Sequence, residues 1–313
     1  MSEKKQSYTF GPVPSRRLGL SLGIDIVPFK SCTQDCIYCQ LGKAPHPQTI
    51  ERKSFVPIDD VIAELKQKID AGVKADYITI SGSGEPTLNS DLAVIIEQIN
   101  AITDIPVAII TNGTLLYLPH VRIACERADL VVPSLDACDE EVFNTINQPH
   151  KQITFARLVE GLKKFKHEYK GKFWLEVFLV DGINTSDEQL AEFKKLIAEI
   201  NPDKVQLNTA VRPTAKAGIM PVSAEKLAQI AKKIGHNAEV IADFDKLAHS
   251  IADMQKGQDA VYQMLKRRPC SLNDISTGLG MNRNEALKYI TTLIEQNKIA
   301  AEQVANKTFY KAI

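Results

Sequence analysis

From Ile58 onward the chain alternates two patterns, and this alternation limits its fold more than any other feature. Short apolar runs of strand length recur at Tyr77–Ile80, Val107–Ile110, Leu130–Val132, Leu175–Val180 and Val205–Leu207, with an earlier one at Ser21–Val27. Between them lie stretches whose apolar residues recur at helical spacing. In Asp59–Ala71 the side chains of Val61, Ile62, Leu65 and Ile69 share one face. Asp91–Ala101, Phe155–Tyr169, Asp187–Ile200 and Ala224–Ile234 behave alike. Ser186 ahead of Asp187 and Glu188 is a helix-start signal. Strands that alternate with helices pair in parallel, each helix returning the chain by a right-handed crossover. The expectation is an α/β fold around a parallel sheet of six strands. Periodicity leaves open whether that sheet is flat or curls into a full or partial barrel.

Near residue 243 the alternation stops. Three parts are expected: a core over 1–242, a linker over 243–257 and a second domain over 258–313. In the last part Val261, Met264 and Leu265 are spaced for a helix, and Ser271 with Asp274 resembles a capping pair. Asn282 with Glu285 opens a further helix, with Ala286, Ile290, Leu293 and Ile294 on its buried face. Two extended runs then flank a hairpin turn at Ala305-Asn306-Lys307. Helix, helix–turn–helix and hairpin is the order of a winged helix. Residues 255–313 carry 9 Lys/Arg against 5 Asp/Glu in a chain of zero net charge, which permits an anionic partner. Periodicity exposes Arg283, Asn284, Lys288, Thr291 and Thr292, with Lys266, Arg267 and Arg268 nearby in sequence. Winged helices set such a helix in a nucleic-acid groove, or serve as protein-docking modules.

The chemistry starts at Cys32, Cys36 and Cys39, spaced C-x3-C-x2-C. Three thiolates on one short loop can hold three irons of a cubane and leave the fourth iron open to a small molecule. Structural zinc is the competing reading, but it favours four ligands in paired clusters, and Cys125, Cys138 and Cys270 stand alone. The N-terminal segment lacks the apolar core of a signal peptide, and no apolar run is long enough to span a bilayer. A cytoplasmic, non-membrane protein is therefore expected. There, six cysteines speak for metal or catalytic use over a disulfide framework.

Cys32-x3-Cys36-x-Tyr38-Cys39 just after a first strand, in a chain of this alternation, resembles the radical S-adenosylmethionine superfamily. Three further motifs fall where that family puts them. Ser81-Gly82-Ser83-Gly84-Glu85-Pro86 follows the second strand and resembles the family's Gly-Gly-Glu motif, interrupted by Ser83. Thr111-Asn112-Gly113-Thr114 follows the third strand. Ser134-Leu135-Asp136-Ala137 follows the fourth and resembles the segment that meets the ribose. The opening Gly11–Gly19 stretch resembles a subgroup described as wybutosine-biosynthesis-like iron–sulfur oxidoreductases, kin to a tRNA-modifying enzyme.

The resemblance implies a partial (β/α)6 barrel, which the winged helix read from the element order follows in the chain. It also implies a [4Fe-4S] cluster on Cys32, Cys36 and Cys39, and S-adenosylmethionine as cosubstrate. Tyr38, Gly82, Gly84, Glu85, Thr111, Asn112, Ser134, Asp136 and Asn208 become its cofactor-binding candidates. Glu85 would add charge at the methionyl amino group or fix the loop. An electron donor such as flavodoxin or ferredoxin is implied. The expected substrate is a nucleic acid, tRNA foremost. A protein substrate, as for a glycyl-radical activase, and a cluster-sensing DNA-binding regulator are the rivals. All these motifs lie at strand C-terminal ends, where parallel α/β folds bind ligands.

Glu176 and Cys138 are the weak catalytic candidates. A carboxylate inside an apolar strand is costly unless paired or facing a polar interior. Cys138, just beyond the ribose-like segment, is a hydrogen-atom donor or a core thiol. Cys125 and Cys270 read as core. Arg16 and Arg17, placed ahead of the first strand, bind an anion or form a salt bridge.

Overall fold

The computed structural model describes residues 7–211, 214–235, 237–242, 257–266, 268–279, 281, 283–304 and 307–313. The chain divides into two compact units. One is Met1–Ile37, Ala44–Ala210 and Ile219–Ala242; the other is Tyr38–Lys43, Val211–Gly218 and Asp243–Ile313.

The first unit is an α/β fold around one eight-stranded sheet whose spatial order follows the sequence. Strands β1 (Thr9–Ser15) and β2 (Gly19–Ile24) form an antiparallel hairpin. The others pair in parallel: β3 (Tyr77–Ile80), β4 (Val107–Thr111), β5 (Leu130–Pro133), β6 (Lys172–Leu179), β7 (Lys204–Thr209) and β8 (Ala238–Val240). Helices α1 (Ile58–Asp70), α2 (Leu92–Ile102), α3 (Pro119–Cys125), α4 (Glu140–Ile146), α5 (Phe155–Glu168), α6 (Asp187–Ile200) and α7 (Ala224–Ile234) make the connections.

Eight strands replace the six expected. Strand β1 contains Gly11, Pro12 and Pro14, which argue against a strand unless it lies at a sheet edge, where β1 lies. Strand β8 has three residues, too few for a periodic signal. Helices α3 and α4 have seven residues each and escaped the reading for the same reason. The early strand ends at Ile24 instead of Val27.

Alternation along the strands gives the sheet two apolar faces. Leu22, Ile24, Ile78 and Ile80 are fully buried on one, and α2 contributes Leu92, Ile95, Ile96 and Ile99, also fully buried. At roughly 2 kcal/mol per aliphatic side chain, those four offer about 8 kcal/mol of transfer energy. On the other face Leu18, Ala108, Leu130 and Val132 cluster with Tyr77, Ile110 and Trp174. Farther along that face come polar groups: Glu176 two residues after Trp174, Ser134 bridged to Glu176, and Asn208 paired with Phe178. Ser186 forms the expected helix start as a full capping box with Gln189.

In the second unit a helix, α8 (residues 257–266), precedes β9 (Cys270–Ser271), α9 (Leu272–Gly278) and α10 (Arg283–Glu295). Strands β10 (Ile299–Val304) and β11 (Lys307–Ala312) follow, in an antiparallel sheet of order β10-β11-β9. Val261, Leu265, Cys270, Ile275, Ala286, Tyr289, Ile290, Leu293 and Ile299 form its core. Ile294, expected on the buried face, is exposed, while Tyr289 is buried instead. Ser271 and Asp274 make the expected capping box. The expected linker falls almost wholly on 243–256, outside the described residues, as do Asn282 and residues 305 and 306 of the hairpin turn. No helix among the described residues is long and apolar enough to cross a membrane.

Candidate cofactor site

The loop after β2 is fastened on two sides. On one, Lys30 N donates to Ser83 O at 2.5 Å and Glu85 N to Ser31 O at 2.8 Å. This contact needs Gly84, because a Cβ there would lie 2.1 Å from Ser31 O. Gly82 adopts φ 140°, and a Cβ on it would meet the Asp25 carboxyl carbon at 2.7 Å. Ser83 Oγ donates to that same carboxylate. On the other side the loop is zipped to the end of α4. Asp35 N donates to Asn147 O and Gln148 O at 3.1 Å, Ile37 N to Ile146 O at 2.9 Å, and His150 N to Thr33 O at 2.8 Å. Thr33 and Thr114 share a hydroxyl contact of 2.7 Å, and Asn112 Nδ2 donates to Thr33 Oγ1 at 2.7 Å.

Cys32 and Cys36 are half-buried in this fastened segment. Each sulfur receives a side-chain amide N–H: Asn112 Nδ2 to Cys32 Sγ and Asn147 Nδ2 to Cys36 Sγ, both at 3.5 Å. The Cys36 thiol donates to Gln34 Oε1 at 3.4 Å. Tyr38 and Cys39 belong to the second unit, are half-buried, and Cys39 O accepts from Gly42 N at 3.3 Å. Among the described residues, no three His, Cys, Asp or Glu side chains are grouped to hold a single metal ion.

Glu85 is 2% exposed and spent on internal bonds. One oxygen accepts from Thr87 N at 3.0 Å, Thr87 Oγ1 at 2.5 Å and Thr111 Oγ1 at 2.6 Å; the other accepts from Asn112 N at 2.7 Å. Burial pushes this carboxyl above its ordinary range, and those donors hold the rise back. The carboxylate thus ties the loop after β3 to the loop after β4. Thr111 Oγ1 also accepts from Gly113 N at 3.0 Å, and Asn112 Oδ1 accepts from Thr114 N at 3.0 Å.

Asp136 is 2% exposed. Its Oδ1 accepts from Phe178 N at 2.9 Å and its Oδ2 from Asn147 Nδ2 at 2.8 Å. Ser134 stands half-buried two residues earlier. Glu176 accepts a two-pronged pair from Arg17, at 2.6 and 3.0 Å, and a bond from Asn208 Nδ2 at 2.8 Å. Burial pushes Glu176 up, but the charge and hydrogen bonds of Arg17, with Asn208 and the charge of Arg16, outweigh it and hold the carboxyl below its ordinary 4.5. Arg17 comes from the β1–β2 turn, not from a segment ahead of the first strand, and forms the salt bridge. Cys138 is 8% exposed, donates to Asp139 Oδ2 at 3.4 Å, and is pushed up to about 12 by burial and by Asp139. Cys125 and Cys270 are core residues.

One network therefore joins Cys32, Cys36, Gly84, Glu85, Thr111, Asn112 and Asp136. Glu176 and Asn208 form a second, smaller group with Arg17. Asn147 was missed by sequence reasoning. It follows a seven-residue helix, and only the pairing of that helix end with the cysteine loop gives it a role.

Residues 26–194, more than half of the chain, match the family model of the radical SAM superfamily. The chain belongs to that superfamily: it is a radical SAM enzyme, whose cofactors are a [4Fe-4S] cluster and S-adenosylmethionine. A protein of Brachyspira hyodysenteriae called GTPase Obg is 40% identical over 309 residues, covering 97% of this chain, which spans only 45% of that relative's length. A UPF0026 protein of Helicobacter pylori strain 26695 is 31% identical over the full length of both. Among solved structures, a radical SAM methyltransferase from Sphaerobacter thermophilus superposes with a TM-score of 0.54 at 17% identity, covering 71% of this chain and 66% of that one. At that identity the likeness is one of fold.

Proposed function

We propose that Cys32, Cys36 and Cys39 each hold one iron of the cluster, and that the loops after β3, β4 and β5 receive S-adenosylmethionine beside the open fourth iron. The donor set fits the group. Thiolates are the ligands that iron–sulfur clusters take, and amide N–H groups already point at two of the sulfurs. Backbone at Gly82 and Gly84 offers carbonyls to the methionyl amino group. Tyr38 lies beside the adenine, Asp136 and Ser134 serve the ribose, and Thr111, Asn112 and Asn208 line the pocket. Glu85 holds the Gly82–Glu85 loop in place. The observation that carries this reading is the fastening of the cysteine loop to the Gly84–Glu85 backbone and to the end of α4.

Held by Cys32, Cys36 and Cys39, the cluster would supply the one-electron reduction that cleaves S-adenosylmethionine to methionine and a radical able to take a hydrogen atom from the substrate. Around that chemistry the chain's own residues orient the cosubstrate and exclude water. The substrate is a nucleic acid, tRNA foremost. This reading takes residues 258–313 as a winged helix, and Arg283 and Arg268 are exposed in that stretch. A flavodoxin or ferredoxin supplies the electron, and the cytoplasm keeps the thiols reduced.

Anaerobic reconstitution with iron and sulfide, reduction and addition of S-adenosylmethionine tests the reading. A brown protein that releases 5′-deoxyadenosine is expected; a colourless protein holding one zinc would sink it. For the substrate, Arg268→Glu with Arg283→Glu is expected to weaken tRNA binding and flatten its salt dependence. Unchanged binding would remove the C-terminal helices as the RNA reader. Cleavage stimulated by a protein but not by RNA would favour a protein substrate.

A further inference from the structure

Asn147 closes α4, and its side chain reaches two groups at once. Its Nδ2 donates to Asp136 Oδ2 at 2.8 Å and to Cys36 Sγ at 3.5 Å. Both acceptors take N–H donors, so they fix which way the amide points. Its Oδ1 is thereby turned away from them, and it is buried, with no hydrogen-bond partner among the described residues, in a residue 2% exposed. Leaving such an acceptor unmade is destabilising. A buried polar atom of this kind calls for an explanation, and a bound ligand is one.

Position identifies the ligand. Asn147 touches a sulfur of the cysteine loop on one side and the carboxylate after β5 on the other. Its backbone carbonyl also receives Asp35 N at 3.1 Å, so residue and loop move together. We propose that Asn147 is a binding and positioning residue that joins cluster and cosubstrate: its amide N–H stabilises the Cys36 thiolate, and its Oδ1 accepts a hydrogen bond from a ribose hydroxyl of S-adenosylmethionine. This rests on the cofactor reading above. The N–H on sulfur favours the reduced cluster by stabilising added negative charge, so its removal lowers the reduction potential. The Oδ1 contact makes cosubstrate affinity depend on the same side chain.

The test compares wild type with Asn147→Ala, and with Asn144→Ala as a control on an exposed residue of the same helix. Iron and sulfide content and the resonance of the reduced cluster are read first. A wild-type protein that forms no [4Fe-4S] cluster overturns the cofactor reading, and this proposal with it. With a cluster present in both proteins, Asn147→Ala is expected to bind S-adenosylmethionine about tenfold more weakly in equilibrium dialysis. Its midpoint potential, titrated without cosubstrate, is expected to fall, while Asn144→Ala leaves both unchanged. Wild-type affinity and potential in Asn147→Ala overturn the proposal alone. Should that variant fail to load iron, Asn112→Ala protein labelled with nitrogen-15 asparagine carries the test, because Asn112, whose Nδ2 meets Cys32 Sγ, would otherwise give the same signal. Amide N–H groups on the sulfurs give weak nitrogen hyperfine coupling to the reduced cluster, and its absence overturns the proposal.

Discussion

Replacing Glu176 by Gln probes the polar group on the sheet face that carries Trp174. In the native chain both guanidinium nitrogens of Arg17 meet the carboxylate, at 2.6 and 3.0 Å, with the two side chains 12% and 11% exposed. Removing one partner of such a pair leaves the other charge buried, which costs about 3–5 kcal/mol. Gln retains one acceptor oxygen for Arg17 or Asn208, so the lower end, about 3 kcal/mol, applies. For a unit of this size that is about 6–12 °C in the first unit's melting temperature. The assay is thermal unfolding followed by circular dichroism at pH 7, with each transition assigned separately because the chain has two units.

Arg17→Met should cost a similar amount. The double variant Arg17→Met/Glu176→Leu should recover at least about 2 kcal/mol over the sum of its parts, because no charge is then stranded. Recovery is incomplete, since Arg16 also acts on Glu176. The pH dependence has a fixed sign. Glu176 titrates below its ordinary 4.5, so its contribution is complete above that value and lost as the pH falls through the lowered one. The gap between wild type and Glu176→Gln therefore persists from neutral pH to about 5 and closes only in stronger acid. Single variants that cost under about 1 kcal/mol, or a strictly additive double variant, would refute the reasoning.

Gly84→Ala places a Cβ 2.1 Å from Ser31 O, next to Cys32, and should lower iron loading several-fold while leaving the melting of the second unit unchanged. Normal loading would show that the loop yields without cost. Cys138, pushed up to about 12, stays a thiol at neutral pH and should resist iodoacetamide at pH 8 while Cys32 and Cys36 react in apo protein; mass spectrometry of the labelled peptides decides. Changing Cys32, Cys36 and Cys39 together to Ala should abolish colour, iron binding and release of 5′-deoxyadenosine, whereas Cys125→Ala should keep all three at some cost in stability.

The sequence by itself determined the parts of this protein that repeat. Strands with apolar runs and helices with apolar stripes are one-dimensional patterns. Six parallel strands, five long helices and two capped helix starts could be read from them. The cysteine spacing and the motifs at strand ends were equally legible, since ligand-binding loops must follow the strands of a parallel sheet. Tertiary structure decided what those residues do to one another. Glu85 reads in sequence as charge beside a ligand or as a brace of its loop, and in the structure Thr87, Thr111 and Asn112 saturate it, because the loops after β3 and β4 close over it. Glu176 and Arg17 are 159 residues apart and find each other only because the β1–β2 turn and β6 meet the same face. Asn147 carried no signal in sequence. Its place beside Cys36 and Asp136 follows from where a short helix ends against the cysteine loop, and such an encounter between distant segments leaves no period in the chain.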